Sequence, residues 1–171
     1  MVEDVGDVLD AANIPLYTQS SVPVPLASTD LAIIGAHGGL AEGNRYFRGL
    51  SDDQHRPADL RQIVDVLKAS RVALLFVCSG GRLDQHPESG GLVGIAHRLL
   101  DKGLDAVVAP SWPIPFLMVR PWLKGFMNAW SAGAPVIDAY GAGNRAVVAA
   151  TSADLSRSLA MSLYGNPFVT R

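Results

Sequence analysis

The stretch Arg71-Val-Ala-Leu-Leu-Phe-Val77, running directly into Cys78-Ser79-Gly80-Gly81, decides the fold. Six apolar residues in succession, with no polar alternation, describe a strand buried on both faces, and the small residues end it. Leu31-Ala-Ile-Ile-Gly-Ala36 is a second run of the same kind, closed by His37-Gly38-Gly39, where the glycines predict a turn. Between the two runs, Pro57 is expected at a first helical position. Leu60, Ile63, Val64 and Leu67 follow at i, i+3, i+4 and i+7, the spacing of an amphipathic helix. The order strand, helix, strand predicts a parallel pair joined by a right-handed crossover.

The same grammar extends outward. After the polar segment GRLDQHPESGG, the spacing predicts a helix over Leu92 to Lys102, with Leu92, Ile95, Ala96, Leu99 and Leu100 inward and Gly103 past its end. A third short strand, Ala106 to Ala109, leads to Pro110-Ser111-Trp112-Pro113. Two further helices are predicted, one over Pro115 to Ala132 bent at Pro121, the other between Val136 and Ala150 broken at Gly141 and Gly143. The segment MSLYGNPFVTR predicts a last strand closed by an Asn-Pro turn. At the other end, an acidic opening predicts a short helix over Val5 to Ala12, followed by a Pro- and Ser-rich linker or edge. Alternating strands and helices define the α/β class with a doubly wound, mostly parallel sheet.

With 171 residues, 49% hydrophobic and 18% charged, the chain suits one domain with one sizeable core. A net charge of -2, with Lys and Arg thinly spread, leaves no electrostatic footprint for nucleic acid. The opening residues lack the basic and apolar regions of a signal peptide, and no apolar run approaches the ~20 residues of a membrane span. A single cysteine cannot form an internal disulfide, so a reducing, cytoplasmic setting is expected.

In doubly wound sheets, sites lie beyond the carboxyl ends of the strands. His37 and Cys78 each follow such an end, on strands expected to be neighbours. A thiol with a free pKa of ~8.5 becomes an effective nucleophile beside an imidazole that takes its proton and later protonates the leaving amine. The backbone N–H groups at Gly38 and Cys78 are candidate oxyanion donors. Each residue alone has a plainer reading, a small buried hydrophobe for Cys78 and a satisfied turn residue for His37.

Weaker signals are read structurally. Gly141-Ala-Gly143-Asn-Arg-Ala146 has the G-x-G-x-x-A spacing of a dinucleotide fingerprint but lacks a convincing βαβ unit, so its glycines are assigned to turns or close packing. Asp84, His86 and Glu88 make a solvated loop rather than a metal site. Trp122, Phe126 and Trp130 share helical spacing and are expected in the core; His97 falls on the polar side of its helix, and His55 carries no motif.

Taken in order, AIIGAHGG, VALLFVCSGG, GGLVGIAHRLLDKGLDAVVAPSWPIP and LYGNP resemble the CHAT domain, a caspase-like branch of the cysteine peptidases related to separase. The likeness covers roughly residues 30–171, leaving 1–29 as an N-terminal helix or linker segment. It implies a three-layer, caspase-like α/β sandwich and a cysteine endopeptidase acting on a specific protein or peptide substrate. His37 and Cys78 would form the catalytic dyad, Gly38 and Cys78 would donate to the oxyanion, and Ser111 and Trp112 would line the substrate cleft. No metal or organic cofactor is implied. Caspase-like folds have two more strand-helix units before the histidine strand, so the chain resembles the C-terminal portion of a larger protein, or a shortened form. A regulatory domain, a partner chain completing the sheet, or a homodimer is then expected, and a catalytically silent CHAT module serving as an interaction scaffold is the alternative. The acidic residue that basic-specific relatives place before the cysteine is replaced by Phe76-Val77, leaving Asp84 or Asp105 as possible acids for that pocket. GRLDQHPESGG matches the loop at which such enzymes are processed, or a plain surface connection.

Overall fold

A computed structural model describes residues 2–17, 26–41, 44–49, 58–77, 84–85, 92–150 and 160–171, by backbone alone at 2–4, 37–41, 44–49, 58–59, 84–85 and 92–93. In chain order the elements are α1 (Val2–Ala11), β1 (Thr29–Ala41), β2 (Asn44–Gly49), β3 (Ala58–Asp59), α2 (Leu60–Leu67), β4 (Ser70–Val77), β5 (Asp84–Gln85), β6 (Leu92–Val93), α3 (Ile95–Asp101), β7 (Ala106–Pro110), a 3-10 turn (Phe116–Met118), α4 (Val119–Ser131), α5 (Val136–Ala150) and β8 (Met161–Gly165).

The main sheet has the order β3-β2-β1-β4-β7-β8. Its centre is parallel, β1 against β4 and β4 against β7, and β8 closes one side antiparallel to β7. On the other side the β2 and β3 hairpin extends it, antiparallel. The strand pairing read from sequence therefore holds: the two long apolar runs are adjacent and parallel, with α2 between them in the chain.

Strand β4 shows why its apolar run has no alternation. Val72, Leu74 and Phe76 pack into one core with α1, α4 and α5, whereas Ala73, Leu75 and Val77 pack into a second with α2 and α3. Each face of the pleat thus meets its own helical layer, and all six residues are at most 5% exposed. Burial of a Leu or Val side chain contributes roughly 1.5–3 kcal/mol, so this strand is the largest block of stabilisation in the sheet. Helix α1 belongs to the first core through Val5, Val8 and Leu9, and the turn after its last residue, Ala11, places Asn13 at a φ of 55°, the left-handed conformation that asparagine tolerates just past a helix end.

Several boundaries differ from those read in the sequence. The chain does not turn at His37-Gly38-Gly39. Parallel pairing with β4 ends at Ala36 opposite Val77, and from Ala36 onward β1 pairs with β2 instead, so an antiparallel ladder carries it on to Ala41. Helix α3 starts at Ile95, three residues later than expected, because Leu92 and Val93 pair with Gln85 and Asp84. Pro121 does not bend a helix: it lies in the first turn of α4, where its missing N–H has no partner to lose, and the break falls earlier as the 3-10 turn.

Helix α5 runs unbroken through Gly141 and Gly143. A Cβ on Gly143 would lie 2.7 Å from the Trp122 ring, so this glycine brings α5 against α4 rather than interrupting it. Trp122 stacks on Phe126 and meets Phe76 and Tyr140 edge-on, and Phe126 stacks on Trp130. The polar tips of the column are satisfied, Trp122 Nε1 donating to Asn144 Oδ1 and Tyr140 Oη to the Met161 carbonyl, each at 2.8 Å. The aromatic helix residues are core, as their spacing implied.

Candidate active site at the carboxyl ends of the parallel strands

Strands β1, β4 and β7 run the same way, so the chain leaves the three parallel pairings on one edge of the sheet. Ala36 of β1 is the register partner of Val77 of β4, which sets the two Cα atoms about 4.8 Å apart across the ladder. The next residue after Ala36 is His37, whose backbone continues in β1 opposite Arg48 of β2; Gly38 follows, opposite Phe47. The next residue after Val77 is Cys78, which with Ser79–Gly81 lies outside the described residues. On the far side of β4, Leu74 pairs with Val108, and counting forward along both strands brings Val77 level with Ser111.

Ser111 is tied to β8. Its backbone N–H donates to the Ala160 carbonyl at 2.9 Å, and its Oγ lies 2.8 Å from Ser162 Oγ and 3.5 Å from Tyr164 Oη. Sequence reading did not single out Ser162 and Tyr164. The signal was there, since hydroxyls two residues apart in MSLYG share one face of a strand. Trp112, the next residue, is 44% exposed, and Phe116 and Leu117 in the same turn are exposed as well. No residue from 106 to 119 carries a charge. Beneath this turn a narrow apolar crevice, bordered by Phe76, Ile114, Met118, Trp122 and Met161 among others, holds no titratable side chain.

Among the residues whose side chains are described, a charged cluster sits at the opposite end of the sheet. Arg71, at the start of β4, donates through Nε to Asp105 Oδ2 at 3.1 Å, and through Nη1 to Asp30 Oδ1 and the Thr170 carbonyl, each at 3.2 Å. The two carboxylates, Asp30 first, raise the guanidinium's pKa. Asp105 precedes the first residue of β7, a strand of five residues and ~16 Å, so it serves this clamp and not a pocket at the carboxyl ends. Asp84 enters the short β5–β6 pairing, and His55, His86 and Glu88 lie outside the described residues. Residues 86–91 of the polar loop do too.

Among the described residues no three His, Cys, Asp or Glu side chains gather as a metal site would require. The G-x-G-x-x-A segment lies within α5, with Asp138 to Tyr140 before it helical, so there is no strand-to-helix turn to cradle a phosphate. No helix among the described residues is long and apolar enough to cross a membrane. No protein-family model matches the chain, and no curated protein matches its sequence.

Proposed function

We propose that this chain carries a caspase-like cysteine endopeptidase site of the CHAT type, with Cys78 as nucleophile and His37 as its base. The observation that supports it most is the register: Ala36 and Val77, the residues immediately before His37 and Cys78, are partners on adjacent parallel strands. Two residues that chemistry would pair thus follow a matched pair of backbone positions, at the strand ends where α/β sheets build their sites.

In this reading His37 accepts the thiol proton and the Cys78 thiolate adds to a peptide carbonyl. The oxyanion accepts hydrogen bonds from the N–H groups of Gly38 and Cys78. Collapse breaks the C–N bond, and the proton held by His37 leaves with the amine. Water then attacks the thioester, passing a proton to His37, which returns it to sulfur as the acid departs. The charge-free turn carrying Trp112, Phe116 and Leu117 favours apolar residues beside the scissile bond.

The single cysteine makes the test direct. Wild type should cleave members of an apolar-enriched peptide library, and Cys78→Ala should abolish cleavage. His37→Ala should lower both turnover and the rate of iodoacetamide alkylation near pH 6.5. Hydrolysis that persists in Cys78→Ala, or a thiol in the wild type no more reactive than free cysteine, would sink the proposal. The exposed apolar turn also favours a second reading, a silent module that holds a protein partner there; uncut peptides bound by wild type and Cys78→Ala alike would establish it.

A further inference from the structure

The hydroxyl cluster at the β7–β8 boundary has no role in the chemistry above, yet it touches the one residue from which the apolar turn departs. Ser111 is held through its backbone by Ala160 and through its side chain by Ser162, with Tyr164 at longer range. Immediately beyond it, Trp112 is half-exposed. An exposed indole on a turn keeps a fixed direction only if the backbone beneath it is fixed. Pro110 and Pro113 restrict φ on either side, but neither restrains Ser111 itself.

Resting on the peptidase reading, we infer that Ser162, acting through the Ser111 hydroxyl, is a positioning residue that holds the Trp112 wall of the substrate cleft. Ser162 and Ser111 are both partly buried, and a hydroxyl pair at 2.8 Å gives each side chain one preferred rotamer. Removing the Ser162 hydroxyl leaves Ser111 Oγ only the longer contact with Tyr164 Oη and loosens the turn's side-chain hold on β8. His37 belongs to β1 and Cys78 follows β4 in the sequence, and neither β1 nor β4 pairs with β8. Substrate binding should therefore suffer and the chemical step should not.

Tryptophan emission reads the brace independently of catalysis. Of the three tryptophans, Trp122 and Trp130 are 2% exposed, so an aqueous quencher such as iodide reports on Trp112. In Ser162→Ala, KM for a cleaved peptide should rise about fivefold, the scale of one neutral hydrogen bond, with kcat and Cys78 alkylation unchanged. Iodide-sensitive emission should depolarise faster, and Ser162→Thr, which keeps the hydroxyl, should restore both readouts. Tyr164→Phe, altering the longer contact, should move them in the same direction by less.

The inference is overturned if KM and Trp112 motion both stay at wild-type values in Ser162→Ala, or if kcat falls with KM. A raised KM without a change in Trp112 motion, motion that changes with KM unmoved, or failure of the threonine variant to rescue overturns it equally. A wild-type chain that cuts no peptide sinks the peptidase reading, and the emission measurement then decides the brace alone.

Discussion

Glycine carries two different burdens at single positions in this chain. At Gly143 the need is space, because a methyl group would meet the Trp122 ring where α4 and α5 touch. At Gly165 it is conformation as well, with φ at 89° and an added Cβ that would collide with the Asp105 carbonyl. Gly143→Ala should lower unfolding free energy by about 1–3 kcal/mol in urea titration, as overpacked cores do. Gly165→Ala should lower it by at least as much. Ser70 gives the opposite expectation. It is 4% exposed at the start of β4, and among the described residues its Oγ has no hydrogen-bond partner. Ser70→Ala removes an unsatisfied buried hydroxyl and should stabilise the fold, by about 1 kcal/mol or less in the same titration.

At the scale of elements, α1 and α4 are linked by Asp7 and Arg120. The hydrogen bond from Arg120 is the main reason the Asp7 carboxyl titrates below its usual range. Its folded pKa lies under the unfolded one, so the linkage stabilises above the unfolded value near 3.8 and fades as pH falls through the folded one. Asp7→Asn should therefore have a slightly lower melting temperature than wild type at neutral pH. As pH falls below the folded value the two curves should converge. Strand β1 carries a second consequence. Among the described residues its first half, Thr29 to Gly35, is paired with β4 on one side and with no strand on the other. Alternate amides of that half should exchange quickly in hydrogen-exchange NMR while every interior amide of β4 stays protected. Uniform protection along β1 would count against this edge.

For the whole molecule, the parallel core was legible because its apolar runs at β1, β4 and the shorter β7 are uninterrupted, and helices α2 to α4 because their apolar positions repeat at helical spacing. What escaped was set by tertiary partners. Gly38 and Gly39 read as a turn until the β2 hairpin gives them a ladder, and Gly143 reads as a break until Trp122 supplies the neighbour that needs its absence of side chain. At the candidate site, the alignment of His37 with the end of β4 was readable from strand order, whereas the Ser111–Ser162 contact joins positions 51 residues apart that share no local pattern.

The clamp at the amino ends of the strands bears on how the chain is made. Arg71 reaches Asp30, Asp105 and the carbonyl of Thr170, and Val169 is buried in the same core as Val72 and Trp122. During synthesis, Arg71 leaves the ribosome about a hundred residues before its last acceptor, and at roughly 5–20 residues per second that is an interval of seconds. Through that interval β7 still lacks β8, and the apolar face of β4 waits for the helices that cover it. The nascent chain therefore exposes apolar strand surface for that interval, and synonymous codons that slow translation after β4 should lower its soluble yield.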